Sequence, residues 1–264
     1  HPSRRLGPHQ SFRRRSRPEG KVSSIVTVAS TLMAAPLVLA LGGSLLRPEE
    51  SERHAWLSSL ANLLSACDVP IGIVVGGGAP AREAIELAKP VIDDLASLDE
   101  IGIAATRLNA AIVAQILQGA GLDVCAGIPS DVESAARGLD EHKVVVMGGT
   151  RPGHTTDNVA IRLAIEAKAA RCLIATNVGH VYSADPRVDS GARPIESMTL
   201  SELQEIVGPP VHGKAGGSSV IDPIGVQAAI DNNLPLAVLD GREMDRMADA
   251  LSGKPFIGTR VEVG

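Results

Sequence analysis

VVVMGGTRPGHTTDNVAIRLAIEA, residues 144–167, passes from an apolar run through two glycines and a polar cluster into a helix-like pattern. Val144 to Met147 reads as a buried strand, and from Asn158 onward Val159, Leu163 and Ile165 recur at a roughly helical period. The polar cluster therefore occupies a strand-to-helix loop, where open α/β sheets bind their ligands. Small-residue amides, the hydroxyls of Thr150, Thr155 and Thr156, and the positive end of a helix all suit an anion such as a phosphate. A plain glycine turn followed by a threonine cap would leave the same trace, so this loop alone does not decide between a site and a turn.

The same grammar repeats on either side. PLVLALGGSLL is a strand ending in a glycine turn, ERHAWLSSLANLLSA an amphipathic helix, and PIGIVVGGGAPAREAIELAK again strand, turn and helix. A helical stretch from Asp99, a possible strand LDVCAG and a helix PSDVESAARGL lead into the opening segment. After it come RCLIATNVGHVYSADPR, a strand with a polar exit, and TLSELQEIVG, a helix with Ser201 three residues before Gln204 in capping-box spacing. Strand PLAVLD, helix EMDRMADALSG and strand IGTRVEV close the chain. Such alternation predicts a mainly parallel central sheet with helices on both faces, a three-layer αβα sandwich. In that sheet the strand exits LGGS, VGGGAPAR, MGGTRPGHTTD and TNVGHVYSADP share one edge, so four loops converge on one cleft suited to a nucleotide.

Composition narrows the class. At 264 residues and 44% hydrophobic the chain can bury a sizeable core, and with 2% aromatics that core is Ala, Val, Ile and Leu. Three scattered cysteines outside any CxxC spacing argue against a disulfide framework or a zinc site and suit a reducing cytoplasm. Residues 1–32 carry seven Lys or Arg against one Glu, so the rest bears −11 of a net −5. An acidic body repels nucleic-acid polymers while still holding a small anion locally. The basic stretch reads as a disordered extension, residues 1–32, ahead of one domain, 33–264. The apolar run after it imitates a signal or membrane segment, but its Ser, Thr and Pro make a poor span, no membrane association is expected, and Met33 is a plausible native start.

GGGAPA at 76–81 satisfies a dinucleotide fingerprint, yet it sits in the second strand-helix unit, and helix, not a strand-end acid, follows about twenty residues on. No GxxxxGK[ST] is present, so a P-loop is excluded. Taken in order, LALGGSLL, VVGGGAPAR, DEIGIAATRLNA, VMGGTRPGHTTDNVA, ATNVGHVYSADPR and KAGGSSVIDP resemble the archaeal-type UMP kinases of the amino-acid kinase superfamily, from about Leu37 to the C-terminal GTRVEV. That resemblance implies the amino-acid kinase fold, transfer of the ATP γ-phosphoryl group to UMP with Mg2+, and a homohexamer. It places UMP on Gly77, Asp99, Thr150, Arg151, Pro152, Gly153, His154, Thr155 and Thr156, and ATP on Gly43, Ser44, Gly78, Arg82, Thr176, Tyr182 and Asp185. Lys214, Asp157 and Arg82 are the expected catalytic set, with Lys214 and Arg82 as cations on the transferred group, Asp157 as their orienter, and no protein metal ligands assigned.

Two positions depart from the pattern. Ala40 stands where many members of the superfamily carry a lysine, leaving the cationic role to Lys214 and Arg82. Gly179-His180 replaces the usual Asp-Gly, so His180 is expected to be strained if the turn needs a positive φ there, unless Gly179 shifts the turn by one residue. Arg151 adds a charge where histidine is common. A kinase acting on another acceptor, or a nucleotide-binding homologue without turnover, stays open on the sequence alone.

Overall fold

The computed structural model describes residues 34–46, 50–186, 188–211 and 221–264. The basic extension and Lys214 lie outside the described residues. Strands β1 (Leu37–Leu41), β2 (Ile71–Val75), β3 (Val144–Met147), β4 (Arg171–Thr176), β8 (Leu236–Asp240), β9 (Thr259–Glu262) and β7 (Ser197–Thr199) form one seven-stranded sheet in the order β3-β2-β1-β4-β8-β9-β7. Every pairing is parallel except β8 with β9. The last two strands, β5 (Val181–Tyr182) and β6 (Pro194–Ile195), make a separate antiparallel hairpin.

Strands β1, β2 and β3 are short and almost wholly apolar because both of their faces are covered. On one face Leu39, Leu41, Ile73, Val75 and Leu173 pack against α1 (Glu50–Ser65), α3 (Leu95–Gly119) and α8 (Met244–Leu251). On the other, Val38, Ala40, Val74, Met147, Cys172 and Ile174 meet α4 (Val132–Glu141), α5 (Thr156–Glu166), α6 (Leu200–Val207) and α7 (Pro223–Asp231). Period-two alternation thus divides each strand between two cores, and the result is the expected αβα sandwich. Among the described residues α3 is the one helix long and apolar enough to cross a membrane. Its buried line of Ala110, Val113, Ala114 and Leu117 rests on the sheet.

The chain runs from β1 outward to β2 and β3, then crosses back over the sheet through α5 to β4 on the other side of β1. That reversal opens a crevice at the carboxyl ends of β1 and β4, the place where this topology binds ligands.

Three details differ from the sequence reading. LDVCAG forms a single bridge, Val124 to Val144, and no strand. Helix α3 begins at Leu95 behind an Asp94 cap, so Asp99 lies in its second turn. The capping box of α6 is Thr199 with Glu202, not Ser201 with Gln204, because Thr199 at the end of β7 still has extended backbone and its side chain reaches the Glu202 amide.

Candidate active site

At the crevice the exits of β1 and β2 touch backbone to backbone. A Cβ on Gly43 would lie 2.3 Å from the Gly78 nitrogen and 2.4 Å from the Gly76 oxygen. Gly78 has φ +59, and a Cβ there would meet the Gly43 oxygen at 2.4 Å. Only glycine fits either position. Helix α2 (Gly78–Ala88) starts here with no side-chain cap, which leaves its first amides without a side-chain partner at the crevice.

Helix α3 holds these loops from below. Asn109, 4% exposed, donates both Nδ2 protons, to Gly76 O at 2.8 Å and Gly77 O at 2.9 Å. Thr106 Oγ1 accepts from Gly149 N at 2.6 Å, and Asp99 Oδ2 accepts from Gly153 N at 2.8 Å. Asp99, Thr106 and Asn109 recur at nearly whole helical turns, so one face of α3 ties the exit of β2 to the exit of β3.

The β3 exit loop carries the polar cluster. Gly148 and Gly149 are buried, Gly153 turns the chain at φ +80, and Thr155 caps α5 by accepting from Asn158 N at 3.3 Å. Thr155 Oγ1 donates to Asp222 Oδ2 at 2.9 Å, and the Asn158 Nδ2 donates to Asp222 Oδ1 at 3.3 Å. Thr156 Oγ1 lies 3.1 Å from where a Gly76 Cβ would stand, so its hydroxyl faces the β2 exit. The outer side of the loop borders a cavity of about 330 Å3 lined by Thr150, Arg151, His154, Arg162 and Asp131 among others.

Asp157, in the first turn of α5, has its carboxyl pushed up to about 7 by burial, and the charge of Asp222 adds to the effect. No described cationic side chain bonds to either carboxylate. Burial also raises the Cys172 thiol, with Asp157 contributing, which places Asp157 toward β4.

Across the crevice Gly42 N donates to Ala175 O and Gly241 N to Thr176 O, so the exits of β1, β4 and β8 are laced together. Arg242 donates from Nη2 and Nε to the Asp240 carboxylate at 2.6 and 2.9 Å, and Nη2 also reaches Asn177 O at 3.3 Å. Burial works to raise the Asp240 carboxyl, but the Arg242 hydrogen bonds and charge outweigh it and hold it below the usual range. Trp56 Nε1 donates to Gly241 O at 2.9 Å and closes this corner.

The amino acid kinase family model matches residues 35–240. The chain belongs to the amino acid kinase family. It is 38% identical over 219 residues to a uridylate kinase of Methanothrix thermoacetophila, covering 82% of this chain and 95% of the relative. A uridylate kinase of Halorubrum lacusprofundi is 37% identical over 227 residues, 85% of this chain and 92% of the relative. The crystal structure of uridylate kinase from Archaeoglobus fulgidus superposes with a TM-score of 0.73 at 34% identity, covering 85% of this chain and 99% of that one. A UMP kinase from Bacillus anthracis, at 24% identity and TM-score 0.71, shares the fold.

Within this amino acid kinase frame the sequence-derived residues fall into three groups. Gly43, Ser44, Gly77, Gly78, Asp99 and Thr150 to Asp157 line adjoining loops at the exits of β1, β2 and β3 or the helix turns beside them. Thr176 closes β4 beside the exits of β1 and β8, whereas Tyr182 and Asp185 belong to the β5–β6 hairpin and the loop after β5. That hairpin is pinned to β9 by Val181 N donating to Thr259 Oγ1 at 2.9 Å. Arg82 is exposed one turn into α2, and Ala40 is buried at the end of β1 under α5. The expected strain at His180 is absent, since neither Gly179 nor His180 has a positive φ. The His180 ring instead stands edge-on to Tyr182 at 6.2 Å between centroids. Burial lowers its pKa, and Arg246 adds to this.

Sequence reasoning missed Thr106, Asn109, Asp222 and the Asp240–Arg242 pair. Asn109 carried a signal, a lone amide on the apolar face of RLNAAIVAQIL. Asp222 caps α7 ahead of Pro223, and its second role, toward Thr155, left no local trace.

Proposed function

We propose that the chain transfers the γ-phosphoryl group of ATP to UMP, giving UDP and ADP. One observation carries this reading: the GGTRPGHTTD loop is held by Asp99 and Thr106 directly beside the Gly43–Gly76–Gly78 backbone contact. An acceptor loop and a donor loop that adjoin in this way set two phosphates in line, and alignment with charge neutralisation is most of what phosphoryl transfer asks of a protein. The kinships to archaeal uridylate kinases over most of the chain support UMP as the acceptor.

UMP rests on the β3 exit loop from Thr150 to Thr156 and on Gly77, with the second Asp99 oxygen facing its ribose hydroxyls. ATP lies along Gly43, Ser44, Gly78 and Thr176, with its base toward Tyr182 and Asp185. A UMP phosphate oxygen attacks the γ-phosphorus, the bond to the β,γ-bridging oxygen breaks, and that oxygen leaves with ADP. The amides of Gly43 and α2 face the charge that develops, and Arg82 and Lys214 supply cations to it. The Asp157 carboxyl, with no described cation bonded to it, fits a site that receives Mg2+ together with ATP, while no group of three or more metal-ligating side chains occurs among the described residues. Mg2+ would neutralise the phosphates, with Asp157 oriented toward it or toward Lys214.

The same reading assigns the protein to pyrimidine nucleotide synthesis in the cytoplasm, as a homohexamer. Exposed Leu87, Val91, Leu95, Leu108 and Ile112 on and between α2 and α3 support association. Light scattering of the wild type and of Leu108→Glu with Ile112→Glu tests it: an oligomer that dissociates is expected, and a monomeric wild type contradicts it. For the chemistry, an acceptor panel of UMP, CMP, dCMP, carbamate and isopentenyl phosphate with ATP and Mg2+ decides the substrate. UMP alone should give rapid ADP release; equal or better turnover of another acceptor would overturn the assignment.

A further inference from the structure

Asp222 stands where two helix N-termini meet, and it does more than cap one of them. Its Oδ1 accepts from Ile224 N at 2.8 Å and Gly225 N at 3.0 Å, the ordinary work of an N-cap on α7. The same oxygen also takes the Asn158 Nδ2 at 3.3 Å, and Oδ2 takes the Thr155 hydroxyl at 2.9 Å. Asn158 is fully buried, and its Oδ1 accepts from Arg162 Nε at 2.6 Å, so the contact is part of a connected polar group. One carboxylate therefore joins α7, the first turn of α5 and the last residues of the acceptor loop.

A cap alone does not call for a carboxylate here. Serine or asparagine caps a helix as well, and the charge of Asp222 works against the ionisation of neighbouring Asp157. The cap on α7 uses Oδ1, whereas Oδ2 is bonded to the loop through Thr155, which points to a demand made by the site. The loop explains the demand. Its outer side borders the 330 Å3 cavity, and among the described residues it is tethered to other elements by Thr106, Asp99 and Asp222. Thr106 and Asp99 fix Gly149 and Gly153, ahead of the threonine pair; among the described residues Asp222 holds Thr155 from the far side.

We infer that Asp222 is a positioning residue for the acceptor: through its hydrogen bond from Thr155 it sets the phosphate-binding end of the β3 exit loop. The inference rests on the UMP reading of that loop. Asp222→Ser keeps a cap for α7 but is too short to reach Thr155. Thr155→Val removes the hydroxyl, and Thr155→Ser keeps it. Loss of a hydrogen bond to a charged group predicts that Asp222→Ser and Thr155→Val each raise KM for UMP by about tenfold, with KM for ATP unchanged. Because both changes break the same contact, the double variant should lose about tenfold as well, not a hundredfold, and Thr155→Ser, which keeps the hydroxyl, should lose less than Thr155→Val.

A lower melting temperature in Asp222→Ser with an unchanged KM for UMP would show a cap and nothing more. A double variant that multiplies the two losses would show that the residues act independently; either result overturns the inference. UMP binding is followed by calorimetry in the same samples. A wild type that binds UMP without forming UDP sinks the kinase reading alone, and the pattern of dissociation constants then decides Asp222; a wild type that does neither overturns both.

Discussion

Replacing Asp157 by asparagine should stabilise the ligand-free chain at alkaline pH. The wild-type carboxyl is pushed from 3.8 to about 7 by burial and by the charge of Asp222. An acid with a higher pKa folded than unfolded binds its proton more tightly in the folded chain. The stability this confers is fully present below about pH 4 and is lost as pH rises through about 7. A shift of about three units corresponds to about 4 kcal/mol at most; allowing for partial solvation, about 2 kcal/mol is the working figure. Asparagine has the same shape and never ionises, so the variant escapes the loss. For a domain of this size that is roughly 4–8 °C in melting temperature. The assay is thermal unfolding followed by circular dichroism at pH 8 and pH 4.5, without nucleotide. The variant should melt higher than the wild type at pH 8 and close to it at pH 4.5, while turnover falls by about a hundredfold or more. A variant that melts lower than the wild type at pH 8, or an equal difference at both pH values, would refute the placement of Asp157 as a buried carboxyl held against its own ionisation.

Asn109→Ala should leave the Gly76 and Gly77 carbonyls without their buried donor, lowering stability by about 2–4 kcal/mol and raising KM for UMP more than KM for ATP; parallel unfolding and kinetic measurements check both. Gly43→Ala pushes a Cβ to 2.3 Å from the Gly78 nitrogen, which should cost about 1–3 kcal/mol by overpacking and about a hundredfold in turnover by displacing the donor loop. Gly119→Ala, with nothing within 4 Å of its added Cβ, is the matching control and should change neither, as read from melting temperature and UDP formation.

The layers were legible in the sequence because their signal is local. Each of PLVLAL, IGIVV, VVVM and CLIAT is a short apolar run followed by a glycine or polar turn, and a run of that kind bounded by such turns is a buried strand wherever it occurs. Convergence of four exit loops followed from the parallel pairing of β3, β2, β1 and β4 and was correctly foreseen. What the sequence hid was tertiary. Thr106 and Asp222 act on residues 43 and 67 positions away, and nothing in their own neighbourhoods marks those partners. The misplaced cap on α6 has the opposite cause: Ser201–Gln204 and Thr199–Glu202 both satisfy the local rule, and only the end of β7 decides between them. The expectation of strain at His180 failed because it borrowed a turn geometry from an Asp-Gly pair, whereas the Gly-His pair makes its turn entirely at negative φ.

The most direct test of the account is product analysis of a single reaction containing the chain, ATP, Mg2+ and UMP, with UDP and ADP separated chromatographically over time. Direct transfer between the adjoining loops predicts UDP and ADP rising together in equal amounts, and neither forming when UMP is left out. ADP without UDP, or UMP bound tightly with neither product formed, would contradict it.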